Sequence, residues 1–174
     1  MQKIVLIVGA SGAGKDTLLR NIKDKIEANF ITRYITRAPD KNEENFYIDQ
    51  DAFKVLKDAG FFVSTWEAHT NYYGIAKNQI KEGLNIISVS RSSIRDFERA
   101  FKDVTTISIS VSSKILYRRL KDRGRESEEE ILKRLNRKYD KIDSSNLIEF
   151  INDKALDEST AEFVKLLTDV THPM

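Results

Sequence analysis

The amino-acid sequence predicts an α/β fold with a mostly parallel β-sheet, and two observations lead to that prediction. The segment Ile4–Val8 is a continuous aliphatic run, which is typical of a strand covered on both faces by helices. Segments with strand character then alternate with segments of helical periodicity along most of the chain, as they do in parallel sheets. The length of 174 residues fits a single domain with a sizeable hydrophobic core.

In the first half of the chain, each predicted element follows from a local pattern. Apolar residues recur at helical spacing after Lys15 and predict the first helix, and the run from Ile31 to Ile35 predicts a short strand. Asp49 or Asp51 can cap a second helix, which Gly60 would end. The other predicted strands of this half are 61–65, 72–76 and 84–89.

The second half contains well-marked helix boundaries. Ser112 can cap a helix that ends at Gly124, and the segment Ser127–Glu130 has the capping-box pattern that opens another helix. The stretch from 32 to 77 departs from the strand–helix alternation and predicts a small insertion over the sheet edge. The remaining predicted elements are a helix over 92–101, strands over 106–111 and 147–151, and a closing helix over 155–167.

The composition excludes several classes of protein. The chain has no cysteine, which excludes disulfides, zinc–thiolate sites and thiol nucleophiles. Its 29 basic and 27 acidic residues leave a net charge of +2, too small to indicate a nucleic-acid partner. No apolar run approaches the roughly 20 residues that cross a bilayer, and the N-terminus does not resemble a signal peptide. We therefore expect a cytoplasmic protein without nucleic-acid or membrane partners, and the oligomeric state is left open.

The strongest motif is a glycine-rich loop between the first strand and the first helix. It matches the phosphate-binding pattern G-x-x-x-x-G-K, with the sequence Gly9-Ala10-Ser11-Gly12-Ala13-Gly14-Lys15. Glycines allow backbone N–H groups to surround phosphate oxygens, the lysine reaches the β- and γ-phosphates, and the helix N-terminus adds partial positive charge. Because the loop follows a buried strand and precedes an amphipathic helix, we expect it to bind ATP, with Lys15 also acting in catalysis.

Asp16 follows the lysine, where most such loops have the serine or threonine that binds Mg²⁺. A carboxylate is a hard oxygen ligand, so Asp16 can hold Mg²⁺ directly or through water, and Thr17 supplies the next hydroxyl. The alternative is that Asp16 only stabilises the positive N-terminus of the helix. We predict the metal-binding role and keep the other as its alternative.

Further segments resemble the guanylate-kinase-like branch of the P-loop kinases over nearly the whole chain. The segment Ile35–Pro39 resembles the one that binds the phosphate of the phosphoryl acceptor in that family, and Asn71–Gly74 resembles the N-x-Y-G turn of the same region. Residues 118–124 and 131–135 resemble the arginine-rich lid. Ile151–Asp153 resembles the loop near the adenine of ATP.

The resemblance implies roles for particular residues. Together with Lys15, Arg119, Arg123 and Arg134 of the lid are expected to act on the phosphoryl group in transfer, and Asn152 is expected beside the ATP. Without the resemblance, these arginines could equally form a solvated helix face. The implied division of the single domain, residues 1–174, is a core over 1–31 and 81–174, an acceptor-binding region over 32–80 and a lid over 120–136.

The positions that read guanine in guanylate kinases have changed in this sequence. Ser64 replaces the acidic residue that accepts hydrogen bonds from guanine, and Ser88 and Ser90 replace the carboxylates at the end of a strand. Asp40 stands where the family has a second arginine. Because a site that reads the N–H groups of guanine needs carboxylates, GMP is expected to be a poor acceptor.

These changes resemble another group in the branch, the ribose 1,5-bisphosphate phosphokinases of phosphonate breakdown. The matching segments are 14–16, 33–37, 66–74, 90–91 and 123–126. The resemblance implies transfer from ATP, with Mg²⁺, to the small-molecule substrate ribose 1,5-bisphosphate, giving 5-phosphoribosyl 1-diphosphate. This acceptor has about four negative charges and no base, so its pocket needs cations and hydroxyls. The residues expected to supply them are Arg33, Arg37, Tyr73, Ser90 and Arg91.

Two alternative functions remain open at this point. The first is a guanylate or other nucleoside monophosphate kinase, which carboxylates at the guanine-reading positions would have favoured. A non-catalytic interaction module of the same fold would usually have an eroded phosphate loop, whereas this loop keeps its glycines and Lys15. Two aromatic positions are given structural roles. His69 is expected at the surface or in a satisfied structural position rather than as a general base, and Trp66 in the core rather than as a stacking platform.

Overall fold

The aliphatic run at the N-terminus forms the middle of the first strand, β1 (Gln2–Gly9), in the computed structural model of the chain. Its side chains Ile4 to Val8 are all 0% exposed. Successive side chains of a strand point to opposite faces, so Leu6 contributes to one hydrophobic core and Val5 to another. The strand is therefore covered on both faces, as the sequence predicted. The structure describes residues 1–10, 12–41, 44–136 and 141–172.

The other elements alternate between strands and helices. In chain order they are α1 (Lys15–Ile22), β2 (Asn29–Phe30), β3 (Tyr34–Ile35), β4 (Phe46–Tyr47), α2 (Gln50–Asp58), β5 (Phe62–Ala68), β6 (Asn71–Ala76), β7 (Gly83–Ser88), α3 (Ile94–Ala100), β8 (Asp103–Ser110), α4 (Ser113–Arg123), α5 (Glu128–Leu135), β9 (Leu147–Ile151) and α6 (Leu156–Thr171). Short 3₁₀ turns precede β7, at Lys77–Gln79, and α3, at Arg91–Ser93.

The central sheet has five described strands in the order β2-β7-β1-β8-β9. Each neighbouring pair is parallel, which confirms the predicted α/β fold. Helices α1 and α6 cover one face through Leu18 and Phe163, and α3 covers the other through Phe97. Because parallel strands end at the same edge, the loop after β1 lies beside the segments that follow β7 and β8.

A second, smaller sheet has the strand order β4-β3-β6-β5. One of its faces packs on α2, where Phe53 and Phe62 stack with ring centroids 4.9 Å apart. Its other face meets the core of the central sheet through Ile75, which is fully buried. The sheet therefore forms a wall beside the carboxyl edge of the central strands.

The single strand predicted from Ile31 to Ile35 is wrong, because this segment is divided between the two sheets. Residues 29–30 pair with β7, whereas residues 34–35 pair with β4 and β6. Between them, the side chain of Gln79 accepts a hydrogen bond from the Thr32 N–H (3.0 Å) and donates one to the Thr32 carbonyl (2.8 Å). Both backbone groups of Thr32 are thus withdrawn from strand pairing. The strand β4 had no sequence prediction.

Local capping signals place the helix boundaries as predicted. The Asp49 carboxylate accepts a hydrogen bond from the Ala52 N–H (2.8 Å) at the start of α2. Ser127 and Glu130 form both hydrogen bonds of the capping box that opens α5. Gly124, with a φ of 62°, ends α4 in the left-handed conformation that favours glycine. Gly124 and the capping box therefore define the turn that connects α4 and α5.

A buried amide connects the central sheet to the chain that returns from the small sheet. The side chain of Asn85 is 0% exposed, and its oxygen accepts hydrogen bonds from the Lys81 N–H (3.0 Å) and the Asn29 amide (2.8 Å). Its nitrogen donates to the carbonyls of Lys81 (2.8 Å) and Gly83 (3.2 Å). Both ends of the amide are therefore satisfied, as a buried polar group requires.

We predict that Asn85→Ala lowers the free energy of unfolding by about 2–4 kcal/mol, because several buried backbone groups lose their partner at once. Urea denaturation monitored by circular dichroism measures this loss. The matched control is Asn78→Ala, since Asn78 is exposed in the neighbouring turn, and its effect should stay within about 0.5 kcal/mol. Equal effects of the two substitutions would contradict the role given to the Asn85 amide.

Candidate active site

The glycine-rich loop has a backbone conformation that its glycines make possible. Gly12 and Gly14 have φ angles of 89° and 82°, in the left-handed region that other residues rarely adopt. A Cβ atom on Gly14 would lie 2.5 Å from the amide nitrogen of Asn152. A Cβ atom on Gly9 would lie 2.7 Å from the Ile109 carbonyl oxygen. Glycine is thus required both for the turn and for close packing against β8 and the segment after β9.

Asn152 supports this loop from behind. Its side chain is 4% exposed and donates a hydrogen bond to the carbonyl of Ala13 (2.7 Å), a loop residue that is itself buried. Its backbone N–H donates to the Ser110 carbonyl (2.7 Å) at the end of β8. Arg119 of α4 donates to the carbonyl of Asn152 (2.8 Å). The residue that the sequence placed beside ATP therefore contacts the loop backbone and links it to α4.

The loop opens into a cavity of about 760 Å³ at the carboxyl edge of the central sheet. This is where open α/β sheets usually bind ligands. Cationic side chains outnumber carboxylates among the described residues that line it. The cations are Lys15, Arg20, Arg33, Arg37, Arg91, Arg123 and Arg125, and the carboxylates are Asp16 and Asp40. A concave site with this balance focuses positive potential and favours polyanionic ligands.

Residues predicted to bind the acceptor line the same cavity as the loop. Arg33 and Arg37 come from the segments on either side of β3, Tyr73 from β6, and Ser90 and Arg91 from the turn after β7. The cavity is also lined by loop residues of the predicted ATP site. Those that line the cavity are Gly9, Ala10, Gly12, Gly14, Lys15, Asp16 and Thr17, and Ser11 lies outside the described residues.

The three predicted lid arginines occupy different surroundings. Arg123, at the end of α4, lines the cavity. Arg119 contacts the carbonyl of Asn152 behind the loop. Arg134, in α5, forms an ion pair with Glu126, with the Arg134 Nε 2.9 Å from a carboxylate oxygen. In this conformation Arg123 is therefore the member of the trio on the cavity wall.

The cavity also contains residues that the sequence analysis did not assign to the site. Arg20 lies one turn beyond Asp16 on α1, and Arg125 follows the glycine that ends α4. The i, i+4 spacing from Asp16 and the string Arg123-Gly124-Arg125 could have indicated them.

His69, exposed as expected, and Trp66, which is not fully buried, also line the cavity. Both belong to the β5–β6 hairpin, which brings them to the same cavity as the loop.

Ser64, which occupies the position of the guanine-reading carboxylate, has a structural role in this protein. Ser64 is 4% exposed, and its hydroxyl donates a hydrogen bond to the Asp96 carboxylate of α3 (2.6 Å). Ser64 is absent from the described residues that line the cavity. The hydroxyl therefore joins the small sheet to α3, and it presents no group to a base in the cavity.

The surroundings of Asp16 fit a Mg²⁺ ion bound together with phosphate. Asp16 is exposed in the first turn of α1 and lines the cavity beside Lys15. Mg²⁺ is usually held by one or two carboxylates plus substrate phosphates and water, rather than by a complete cage of protein ligands. The described residues contain no cluster of three or more His, Cys, Asp or Glu side chains that could hold a metal ion.

Comparison with known proteins identifies the family. The family model for guanylate kinase matches residues 1–170. A ribose 1,5-bisphosphate phosphokinase PhnN of Agrobacterium fabrum is 38% identical over 143 aligned residues, which cover 77% of this chain and 78% of that protein. A protein of the same name from Yersinia pestis is 32% identical, and the alignment covers 97% of this chain and 92% of that protein.

Two further similarities concern a longer protein and a solved structure. A bifunctional ribose 1,5-bisphosphokinase-thymidine phosphorylase of Roseobacter denitrificans is 36% identical over 94% of this chain, but this chain spans 26% of that protein. The crystal structure of guanylate kinase from Anaplasma phagocytophilum has a TM-score of 0.64 at 20% identity, over 100% of this chain and 90% of that one. This second similarity shows the fold.

The chain therefore belongs to the guanylate kinase family of P-loop kinases. Within that family, relatives that it matches over most of their length carry the name ribose 1,5-bisphosphate phosphokinase PhnN. In the described part of the chain, no helix has both the length and the apolar composition needed to cross a membrane.

We predict that Asn152→Ala weakens binding of ATP and of inorganic tripolyphosphate by the same factor, about tenfold, because the lost hydrogen bond supports the loop that holds the phosphates. Isothermal titration calorimetry with each ligand measures both affinities, with Asn78→Ala as the control. A loss confined to ATP would instead place Asn152 at the adenine, since tripolyphosphate has no base.

Proposed function

We propose that this protein transfers the γ-phosphoryl group of ATP to the 1-phosphate of ribose 1,5-bisphosphate, producing ADP and 5-phosphoribosyl 1-diphosphate. The observation that carries the proposal is the cavity, where a phosphate loop faces a wall of arginines and hydroxyls. The names of the relatives support the same acceptor. The likeness in sequence and the chemistry of the cavity thus agree on a polyanionic acceptor without a base.

The arginines of the cavity wall suit a sugar bisphosphate. Arg33, Arg37 and Arg91 approach from three segments, so they can contact phosphates at different positions of one small molecule. The planar guanidinium group binds two phosphate oxygens at once, which fixes orientation as well as charge. Tyr73 and Ser90 can add hydroxyl contacts to the phosphates or the sugar.

Phosphoryl transfer requires positioning and charge stabilisation more than covalent chemistry. An ionised oxygen of the 1-phosphate forms the new bond to the γ-phosphorus of ATP, and the bond from that phosphorus to the β–γ bridging oxygen breaks as ADP leaves. Because the attacking oxygen is already ionised, no general base is needed. Lys15 and Arg123 stabilise the negative charge that spreads over the group in transfer.

We propose the division of the domain that the resemblance to the family implies. The core over 1–31 and 81–174 carries the ATP site, the region over 32–80 binds the acceptor, and the lid over 120–136 brings arginines to the γ-phosphoryl group. In the structure Arg134 pairs with Glu126 and Arg119 with the carbonyl of Asn152, and we propose that both join Arg123 at the phosphates when the lid closes. Closure would also exclude water and limit hydrolysis of ATP.

Asp16, with Thr17 beside it, is the residue that would hold Mg²⁺ in this site. When bound, the ion neutralises charge on the β- and γ-phosphates. Asp16 keeps a carboxylate beside the phosphate loop. Arg20, one turn further on the same helix, also lines the cavity and donates a hydrogen bond to the Thr17 hydroxyl (3.5 Å).

The structural position of Ser64 argues against the main alternative, a guanylate kinase. Its hydroxyl is bound to Asp96, and it offers no carboxylate to the N–H groups of guanine. A non-catalytic module would not need Lys15 or the glycines in left-handed conformation that the loop retains.

We predict that ribose 1,5-bisphosphate is phosphorylated at least about 10³-fold more efficiently than GMP, because a missing polar reading site costs several powers of ten in discrimination. Initial rates with ATP and Mg²⁺ give kcat/KM for each acceptor, and an assay without acceptor gives the background of ATP hydrolysis. Comparable kcat/KM values for the two acceptors would contradict the proposed substrate.

We predict that Asp16→Ala lowers kcat by about 10²-fold and shifts activity to higher Mg²⁺ concentration, since one oxygen ligand of the metal is lost. Asp16→Ser should recover part of both effects, because a hydroxyl is the usual ligand at this position. Titrations of Mg²⁺ against initial rate compare the three proteins. If Asp16 only stabilises the helix N-terminus, the titration curves will superimpose and Asp16→Ala will instead lower the melting temperature.

A further inference from the structure

Three planar side chains lie next to one another on the wall of the cavity. The rings of Trp66 and Tyr73 are nearly parallel, with an interplanar angle of 8° and centroids 5.4 Å apart. The guanidinium carbon of Arg33 lies over the Tyr73 ring, 5.5 Å from its centroid. All three residues line the cavity. The geometry is that of an aromatic stack continued by a cation–π contact.

The register of the small sheet determines the order of this stack. Trp66 of β5 is directly opposite Tyr73 of β6, and Ile35 of β3 pairs with Tyr73 from the other side. Arg33 immediately precedes β3, and its guanidinium reaches the face of the Tyr73 ring. Because β6 lies between β3 and β5, Trp66 and Arg33 flank Tyr73. The two neighbours together restrict the orientation of the tyrosine ring.

The burial of the three residues suggests which of them supports the others. Tyr73 is 8% exposed, and Trp66 is partly buried and packs against the core cluster that contains Ile75. Arg33 is the member that carries charge into the cavity. A flexible arginine loses side-chain entropy when it binds a ligand, and the loss is smaller when packing has already fixed its plane.

We propose that Trp66 is a positioning residue for the phosphoryl acceptor. Through the ring of Tyr73, it fixes the guanidinium plane of Arg33 in the orientation that binds a phosphate group of the acceptor. This inference rests on the proposed function, because it concerns the same acceptor. It gives Trp66 a role that the sequence analysis, which placed this residue in the core, did not foresee.

The first test compares two substitutions of Trp66. Trp66→Leu removes the planar partner of Tyr73 and should raise the KM for ribose 1,5-bisphosphate about tenfold, with the KM for ATP changed less than about twofold. Trp66→Phe retains an aromatic ring and should stay within about threefold of the parent enzyme in both constants. An equal rise in both KM values, or no rise for the acceptor, would overturn the proposal.

The control variant is Tyr72→Leu. Tyr72 is adjacent to Tyr73 on β6, points to the opposite face of the small sheet and stacks on Phe53. Its substitution disturbs the same sheet without touching the Trp66–Tyr73–Arg33 stack. Melting temperatures of both leucine variants report the damage to the fold. If Tyr72→Leu raises the KM for the acceptor as much as Trp66→Leu does, the effect is one of general destabilisation and the proposal is wrong.

The decisive experiment is a double-mutant cycle with Arg33→Leu. If Trp66 acts through Arg33, Trp66→Leu should raise the KM for the acceptor about tenfold in the parent enzyme but less than about twofold in the Arg33→Leu background. An unchanged tenfold effect in that background would overturn the proposal while leaving the proposed function intact. If the parent enzyme does not phosphorylate ribose 1,5-bisphosphate at all, the proposed function fails first, and the inference fails with it.

Discussion

Mutual repulsion among cationic side chains around one cavity is the constraint on which the rest of this structure depends. The arginines and the lysine come from different elements, so that no single helix or strand carries the whole charge. Local contacts hold some of them, such as the ring of Tyr73 under Arg33 and the hydroxyl of Thr17 beside Arg20. The fold thus maintains, before any ligand binds, a concentration of positive charge that two phosphorylated ligands would neutralise.

The neutral parts of the site keep this charge in place. Asn152 joins the phosphate loop, through its side-chain amide, to the end of β8, through its backbone N–H. The side-chain amide of Asn85 joins the central sheet to the chain returning from the small sheet. The hydroxyl of Ser64 ties that sheet to α3 through Asp96. Both walls of the cavity are therefore attached to one rigid scaffold, which is what precise positioning of a donor and an acceptor requires.

The parts of the structure that depend on local chemistry could be predicted from the sequence. Asp49, Gly124 and the Ser127 capping box gave helix boundaries, and the aliphatic run of β1 gave the parallel sheet, because those signals act within a few residues. The split of the segment from Ile31 to Ile35 depends on Gln79, which is distant in sequence. The stack on Trp66 likewise depends on the pairing register of β5 and β6, which hydrophobic patterning alone does not specify.

The proposed reaction requires the arginine-rich wall to hold a phosphorylated sugar in line with the phosphate loop. A crystal structure with ribose 1,5-bisphosphate, Mg²⁺ and a non-hydrolysable ATP analogue would show whether it does. We expect phosphates of the sugar in contact with Arg33, Arg37 and Arg91, and an oxygen of the 1-phosphate about 3–3.5 Å from the γ-phosphorus, the distance of a near-attack geometry. A sugar bound away from these arginines, or with its 5-phosphate facing the γ-phosphorus, would rule out this arrangement.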